Sequence, residues 1–292
     1  MTFVAVHADR GRMDATLDDL GCGWAWSQIH RSRPRARLSC QRCEHPVHAK
    51  VSPAGLRFFA HDPQRGQDCP AARETMEHHL LKLELATAVR SAGWRAELEA
   101  TRSGAGWRAD VLAVSPDGGR TMAWEAQLSS ITADEIAERT RRLAAAGVPV
   151  CWVGVKPSRW TVNTPAVLVR PAAERGQTWT VTSGLFRFDG TWLLAAPVEL
   201  AVFVGWVLSG RVIYYDDVLR RVWTAPRYAR LAGETQAERV AQWHADAERA
   251  RELHEWIQGA KQRVAAAQRE MAEQAETPTW AEKVKKWELG RH

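Results

Sequence analysis

The fold is decided by the stretch Arg108-Ala-Asp-Val-Leu-Ala-Val-Ser-Pro-Asp-Gly-Gly-Arg-Thr-Met-Ala-Trp-Glu-Ala-Gln127. Two apolar runs of period two flank Asp117-Gly118, a residue pair typical of a two-residue hairpin turn. With that turn, facing residues have numbers that sum to 235, so Asp110 faces Glu125. Facing Cβ atoms are roughly 4.5–5.5 Å apart. Gln127 shares the face of Glu125, because side chains alternate along a strand.

Asp110 and Glu125 therefore form a candidate metal site. Two carboxylates at this spacing can hold one hard cation. Facing like charges are unfavourable without a cation between them. The alternative is an ordinary hairpin whose charged face is solvated, and the hairpin by itself fits both interpretations.

The flanking segments predict an α/β architecture. Apolar residues at helical spacing indicate a helix over 72–92, followed by a strand from Trp94 to Ala100. After the hairpin, Thr132-Ala-Asp-Glu135 is a capping box that begins a second helix, and residues 148–155 read as a buried strand. The order helix, three strands, helix, strand predicts an antiparallel hairpin that extends into a mixed sheet.

Cysteine spacing near the N-terminus predicts a structural zinc site. Cys40 and Cys43 have the Cys-x2-Cys spacing, and His61 and Cys69 complete four ligands within thirty residues. His45 and His48 are rival ligands. The alternative is a set of unrelated free thiols. A module this small would gain most of its folding free energy from the metal.

Charge indicates a polyanionic partner. The chain of 292 residues has a net charge of +6, and residues 233–292, with ten Lys and Arg against eleven Asp and Glu, leave +7 to the remainder. Arg31, Arg33, Arg35 and Arg37 alternate, so an extended segment would present them on one face to a phosphate backbone. A solvated basic linker fits the same pattern equally well.

Cysteine usage and hydropathy predict a cytoplasmic protein. Five Cys is an odd number, three of them clustered, which favours a reducing compartment over a disulfide framework. The N-terminus has no basic stretch followed by an apolar core, so no signal peptide is expected. The most apolar stretch, 192–209, is interrupted by Pro197 and Glu199, so no membrane span is expected.

The C-terminal part predicts helices. Strands are indicated over 179–188 and 191–194 and a packed helix over 198–208; the capping box Thr235-Gln-Ala-Glu238 then begins another helix. That helix carries a heptad-spaced seam of Leu253, Ile257, Ala260, Val264, Ala267 and Met271. The seam fits packing against the rest of the chain and pairing into a homodimer equally well.

With these pieces in order, the chain resembles the CoiA-like competence proteins, a branch of the PD-(D/E)xK nucleases. The similarity covers roughly residues 1–155 and leaves the C-terminal third without a counterpart. It rests on an ordered series of motifs: Cys40-x2-Cys43, Phe59-Ala60-His61, Cys69, Glu77-His78 with Lys82, Arg108-Ala-Asp110-Val111, Glu125-Ala-Gln127 with Ser129, Arg139 and Trp152.

The resemblance implies a restriction-endonuclease-like αβββαβ core over 71–157, with a zinc-binding module at 1–70, a mixed α/β extension at 158–232 and C-terminal helices at 233–292. Asp110 and Glu125 would hold Mg²⁺ or Mn²⁺, and Glu77 would add a ligand from the first helix. The wider superfamily usually has Lys where this chain has Gln127, an amide that positions water but supplies no charge.

The missing positive charge has three candidates. Lys82, Arg108 and Arg139 could each supply it, and Arg108 faces Gln127 in the 235-sum register. Arg139 is also expected to contact nucleic acid. The function that follows is Mg²⁺-dependent hydrolysis of DNA, in DNA uptake, recombination or defence against foreign DNA. The alternative is a DNA-binding module with a nuclease-like fold that no longer cuts.

Overall fold

The structure is a computed structural model that describes residues 1–62, 68–69, 74–102, 106–171, 178–195, 197–217, 220–276 and 280–289. These residues fall into two compact units, Met1–Leu231 and Ala232–His292. The strands are β1 (Val4–His7), β2 (Gly11–Asp14), β3 (Leu38–Cys40), β4 (Val47–Val51), β5 (Arg57–His61), β6 (Arg95–Thr101), β7 (Arg108–Val114), β8 (Thr121–Gln127), β9 (Val150–Gly154), β10 (Ala166–Arg170), β11 (Thr180–Ser183), β12 (Phe186–Phe188), β13 (Trp192–Leu194), β14 (Val198–Glu199), β15 (Ile213–Asp216) and β16 (Arg221–Thr224). The helices are α1 (Met76–Ser91), α2 (Ala133–Ala145), α3 (Leu200–Leu208), α4 (Pro226–Glu276) and α5 (Trp280–Leu289).

A seven-stranded mixed sheet organises the first unit, in the order β14-β11-β10-β9-β8-β7-β6. Strands β6, β7 and β8 are antiparallel neighbours, whereas β8, β9 and β10 run parallel. The predicted mixed α/β architecture, with an antiparallel hairpin extending into a mixed sheet, is confirmed. The elements from α1 to β9 follow one another as helix, three strands, helix, strand.

The β7–β8 hairpin keeps the predicted register but not the predicted turn. Its paired residues, from Val111 with Trp124 to Val114 with Thr121, have numbers that sum to 235. The two-residue turn is wrong: Ser115 N donates to Arg120 O at 2.9 Å, which leaves a loop over 116–119. Pro116 has no N–H to give to a ladder pair, so the strands separate before it. The loop has the same centre as the expected turn, and the register is therefore unchanged.

Both faces of this sheet are buried, which fixes where the polar pair lies. Val111 and Trp124 pack in the core that includes α1 and α3. Leu112 and Ala123, one position along each strand, pack with Ile136 of α2. Because side chains alternate, Glu125 points to the α2 face of the sheet.

The sheet continues past residue 157. Strands β10, β11 and β14 extend it, and buried residues of α3 share the core of α1. Met1–Leu231 forms one compact unit, which includes the segments predicted at 1–70 and 71–157 and all but the last residue of the segment predicted at 158–232; the division into these parts stays a prediction. The boundary expected at 70/71 lies outside the described residues.

The N-terminal strands have a core of their own. β2, β1 and β3 form one sheet, β4 and β5 form a hairpin, and Ala5, Met13 and Phe59 pack between them. Phe3 and Val4 belong instead to the core of α1. The first residues of the chain therefore tie the zinc-site region to the main sheet.

The second unit is helical. The helix start predicted at Thr235 is wrong, because α4 begins at Pro226 and runs unbroken through the expected capping box. Proline suits a first helical turn, where no N–H bond is lost. The seam residues Leu253, Val264 and Met271 are exposed, so homodimer formation stays a prediction. Among the described helices, none is both long and apolar enough to cross a membrane.

Candidate functional site

A pocket of about 380 Å³ opens where β7 begins and β8 ends. It is lined by four arginines, two acids and several neutral groups: Arg42, Arg108, Arg139, Arg142, Glu74, Asp110, His78, Gln127, Gly106, Trp107 and Ala126. Positive groups thus outnumber the negative ones at its surface. This balance suits an anionic ligand.

Asp110 is held from several sides and is 6% exposed. Its Oδ2 lies 3.4 Å from His78 Nε2 and accepts a hydrogen bond from Ala126 N at 3.0 Å. Its Oδ1 lies 3.5 Å from the Arg108 guanidinium. Burial by itself raises the pKa of Asp110, but the His78 hydrogen bond and the charges of Lys82 and Arg108 outweigh it and hold the pKa well below its usual range. Asp110 is therefore a carboxylate at neutral pH.

Glu125 is fully buried, and only one of its oxygens has a partner. Oε2 pairs with the guanidinium of Arg139, which lies 4.8 Å over the Trp152 ring. Oε1 is buried without a hydrogen-bond partner among the described residues. Burial and then the Asp110 charge raise the pKa of Glu125 to about 8. A buried, unpartnered carboxylate oxygen beside a second carboxylate is an environment that a cation would stabilise.

The predicted residues of the hairpin come together, with Gln127 at the rim. Gln127 Nε2 donates to Ser129 O at 2.8 Å and lies 3.2 Å from Ser129 Oγ. Arg108 and Arg139, two of the three candidate cations, line the same pocket. The third, Lys82, does not.

Lys82 is instead buried in an ion network and is 0% exposed. Its Nζ lies 2.5 Å from Glu74 and 3.2 Å from Glu99. Glu99 also accepts hydrogen bonds from the Thr2 hydroxyl at 2.5 Å and from Phe3 N at 3.3 Å. Burial lowers the pKa of Lys82, but the charges of Glu99, Asp110 and Glu74 outweigh it, so its pKa is raised. Lys82 neutralises the acids beneath the pocket.

Two acids of this network are absent from the sequence prediction. Glu74 lines the pocket, one residue before Thr75, the N-cap of α1. Glu99 has a φ of +49°, and the β6–β7 ladder skips it between Leu98 and Ala100. Glu77, expected as the helix ligand, is exposed on α1 and is not among the residues lining the pocket.

We expect Lys82→Met to lower the free energy of unfolding by about 3–5 kcal/mol, because it leaves Glu74 and Glu99 buried without their shared cation. Urea unfolding followed by tryptophan fluorescence measures this. Lys156→Met, at an exposed position, is the matched control and should change the value by less than about 0.5 kcal/mol. Equal unfolding midpoints for the two variants would contradict the role assigned to Lys82.

The predicted cysteines and histidine form a second site. One ligand atom from each of Cys40, Cys43, His61 and Cys69 lies within 4.8 Å of all the others. The Cys40 and Cys69 sulfurs are 4.0 Å apart, and Cys43 Sγ lies 3.2 Å from His61 Nε2. Tetrahedral zinc with bonds of ~2.3 Å would separate two sulfurs by roughly 3.8 Å. The cluster could hold structural zinc.

Local backbone geometry builds this cluster. Glu44 N donates to Cys40 O at 2.9 Å, Cys40 N donates to His45 O at 2.9 Å, and Glu44 has a φ of +59°. Of the rival ligands, His48 bonds Asp62 at 2.6 Å, and neither His45 nor His48 belongs to the group of four. The three cysteines converge with His61, which favours the predicted site over unrelated thiols, and zinc binding itself stays a prediction.

Arg42 lies between Cys40 and Cys43 in the sequence, and its side chain reaches the pocket. Burial and then the nearby Arg108 guanidinium lower the pKa of Arg42, while Glu74 raises it. An arginine remains charged under such a shift. The Cys3His cluster and the arginine-rich pocket are therefore adjacent through one side chain.

The alternating arginines are not one extended strip. Arg31 has a φ of +57°, and Arg37 pairs with Asp9 at 3.0 Å. Arg31, Arg33 and Arg35 nevertheless line one groove of about 610 Å³ with His48 and Lys50. The expectation of a shared face along an extended segment is corrected: a turn, and not strand alternation, gathers three of the four.

The first unit is thus a mixed α/β domain with an arginine-rich pocket, a buried pair of acids of which Asp110 lines that pocket and Glu125 lies behind it, and a Cys3His cluster. Residues 74–165 match the family described as competence protein CoiA, nuclease-like domain. The resemblance read from the sequence motifs is confirmed. No curated protein and no solved structure matches the chain.

Proposed function

We propose that the protein is a metal-dependent nuclease that hydrolyses phosphodiester bonds in DNA. The observation that carries the proposal is the unpartnered Oε1 of Glu125, which is buried beside Asp110, a residue that lines the arginine-rich pocket. The nuclease-like family of residues 74–165 and the element order from α1 to β9 agree with a PD-(D/E)xK, restriction-endonuclease-like core.

Asp110 and Glu125 are the residues that would hold Mg²⁺ or Mn²⁺. Their oxygen donors suit a hard cation, and the repulsion that raises the pKa of Glu125 would be relieved by its charge. When bound, such a cation polarises a phosphoryl oxygen and lowers the pKa of a coordinated water.

The protein side chains bind and orient the substrate. Arg108 and Arg139 present guanidinium groups that can pair with phosphate oxygens. Gln127 can hold a water by a hydrogen bond but can neither take its proton nor supply positive charge. In this proposal, the arginines provide the charge that a lysine supplies elsewhere in the superfamily.

The proposal includes the groove of Arg31, Arg33 and Arg35 as a second surface for nucleic acid. Arg31, Arg33 and Arg35, with Lys50, offer four positive groups on one concave surface. Contacts to phosphates from such a surface are independent of sequence and weaken with salt. A DNA substrate in uptake, recombination or defence against foreign DNA fits this surface.

A second candidate function is DNA binding without cleavage. The observation that favours it is the neutralisation of the acids by the protein itself: Asp110 lies against His78 and Arg108, and Glu125 pairs with Arg139. If these side chains already neutralise both acids, the pocket could bind DNA without a divalent cation. Affinity that falls steeply with salt, with no cleavage, would support this function.

A cleavage assay tests the proposal. Zinc-loaded protein is incubated with supercoiled plasmid and with single-stranded circular DNA, in Mg²⁺, in Mn²⁺ and without divalent cation. We expect cation-dependent cutting by the wild type and none by Asp110→Asn. If the folded, zinc-loaded wild type cuts neither DNA in either cation, the nuclease proposal fails and the binding function replaces it.

A further inference from the structure

Arg42 differs from the other arginines of the pocket in its partners. Arg108 contacts Glu74 and Asp110, Arg139 pairs with Glu125, and Arg142 pairs with Glu138. Over the described residues, no carboxylate makes an ion pair with Arg42. The charge of Arg42 at the pocket rim is therefore available to a ligand.

The position of Arg42 is set by the Cys3His cluster. It lies between Cys40 and Cys43, and its backbone N–H donates to Cys40 Sγ at 3.4 Å. Such a bond to a metal-ligating sulfur fixes the ligand loop as well as the sulfur. The turn at Glu44, closed on Cys40, restrains the loop from the other side.

We propose that Arg42 binds a phosphate of the nucleic acid in the pocket, so that the cysteine cluster forms part of the substrate site and is not only a folding device. The inference rests on the proposed nuclease function, because it takes the pocket as the place where a phosphodiester lies. Arg42 reaches the pocket from the loop between β3 and β4, whereas Arg108 belongs to β7 and Arg139 to α2.

Phosphate chemistry fits this geometry. A guanidinium forms two parallel hydrogen bonds to phosphate oxygens, and its rigid fork gives direction as well as charge. Arg42 and Arg108 also line the same pocket, and their like charges repel each other. An anion bound between them relieves that repulsion, so the pair favours a phosphate over a neutral ligand.

The test measures DNA binding in the full-length, zinc-loaded chain carrying Glu125→Gln, so that no substrate is consumed. The probes are a short fluorescein-labelled duplex and its single strand, titrated over a series of NaCl concentrations. We expect Arg42→Gln to weaken binding by about tenfold, as for a lost hydrogen bond to a charged group. The slope of log affinity against log salt should fall by about 0.9 for the duplex or about 0.7 for the single strand.

Two variants separate substrate binding from folding. Arg42→Lys keeps the charge and should preserve the salt slope while losing part of the affinity. Arg187→Gln removes an exposed arginine of β12 and should leave both affinity and slope unchanged. Zinc content and melting temperature should equal those of the parent in Arg42→Gln, Arg42→Lys and Arg187→Gln. If Arg42→Gln loses zinc, the affinity and salt slope of Arg42→Lys alone decide whether Arg42 binds phosphate.

The outcomes distinguish the two proposals. Wild-type affinity and slope in Arg42→Gln, in a protein whose wild type cuts DNA, would overturn the role of Arg42 and leave the nuclease intact. Weakened binding by Arg42→Gln, in a protein that never cuts, would keep the role of Arg42 and reject the nuclease. Absence of DNA binding by the parent would overturn both.

Discussion

Replacing Glu125 by glutamine is expected to abolish cation-dependent DNA cleavage without unfolding the protein. The amide keeps the size of the side chain but cannot give a divalent cation an anionic oxygen. Metal catalysis contributes several kcal/mol of transition-state stabilisation, so the rate should fall by about a thousandfold. The amide is neutral, as the Glu125 carboxyl largely is at neutral pH with a pKa raised to about 8 by burial and Asp110, and Arg139, which is partly exposed, can be rehydrated. The melting temperature should therefore equal or exceed that of the wild type.

Plasmid nicking in Mg²⁺ and thermal unfolding by circular dichroism measure the two effects. Glu97→Gln is the matched control, because Glu97 is a half-buried carboxylate of β6 outside the pocket. It should cut at the wild-type rate. Wild-type cutting by Glu125→Gln would remove Glu125 from the metal site, whereas a large loss of stability would give it a structural role only.

Removing zinc is expected to unfold the N-terminal region around the cysteine cluster. Metal binding by structural zinc sites contributes about 10–16 kcal/mol in zinc-finger peptides, as much as the whole stability of a typical domain. Cys43→Ser should lower zinc content from one ion per chain to none and lower the melting temperature. Loss of the cluster should also weaken DNA binding, because Arg42 would no longer be held at the pocket.

Zinc content by plasma mass spectrometry and thermal unfolding with and without chelator measure this result. Cys22→Ser is the control, since Cys22 is a free, half-buried thiol outside the group of four. It should keep the metal and the melting temperature. A Cys43→Ser protein as stable as the wild type would mean that the cluster is not a structural zinc site. A chelator removes zinc and the proposed catalytic cation together. Only Cys43→Ser therefore separates the loss of zinc from the loss of the catalytic cation.

The sequence predicts the hairpin and its register well, because both depend on local rules. Strand alternation places Asp110 and Glu125 on one face, and a loop of either length centred on Asp117 and Gly118 gives the same pairs. Cysteine spacing likewise predicts that Cys40 and Cys43 share a candidate metal site, since Cys-x2-Cys geometry is local. These parts of the site need no knowledge of distant contacts.

The remainder of the site depends on contacts that are distant in sequence. Glu99 meets Lys82 only after the sheet forms, and its left-handed backbone has no sequence signal. Glu74 falls within the helix predicted over 72–92, where no motif distinguishes it, whereas the structure begins α1 at Met76 and leaves Glu74 before the N-cap. Arg42 falls in the variable part of a motif, where only the fold reveals that it reaches the pocket. The capping-box pattern at Thr235 does not begin a helix, because Thr235 lies inside α4, which begins at Pro226.

The sheet order has a consequence for dividing the chain. All five residues of β9 are buried, and the strand is hydrogen-bonded to β8 on one side and to β10 on the other. The family-matched segment ends at 165, one residue before β10 begins. A fragment cut there would expose the unpaired backbone of an apolar strand, the kind of edge that recruits other chains into aggregates. Residues 74–165 alone are therefore expected to aggregate, because β10 is the strand that covers this edge of β9 in the whole chain.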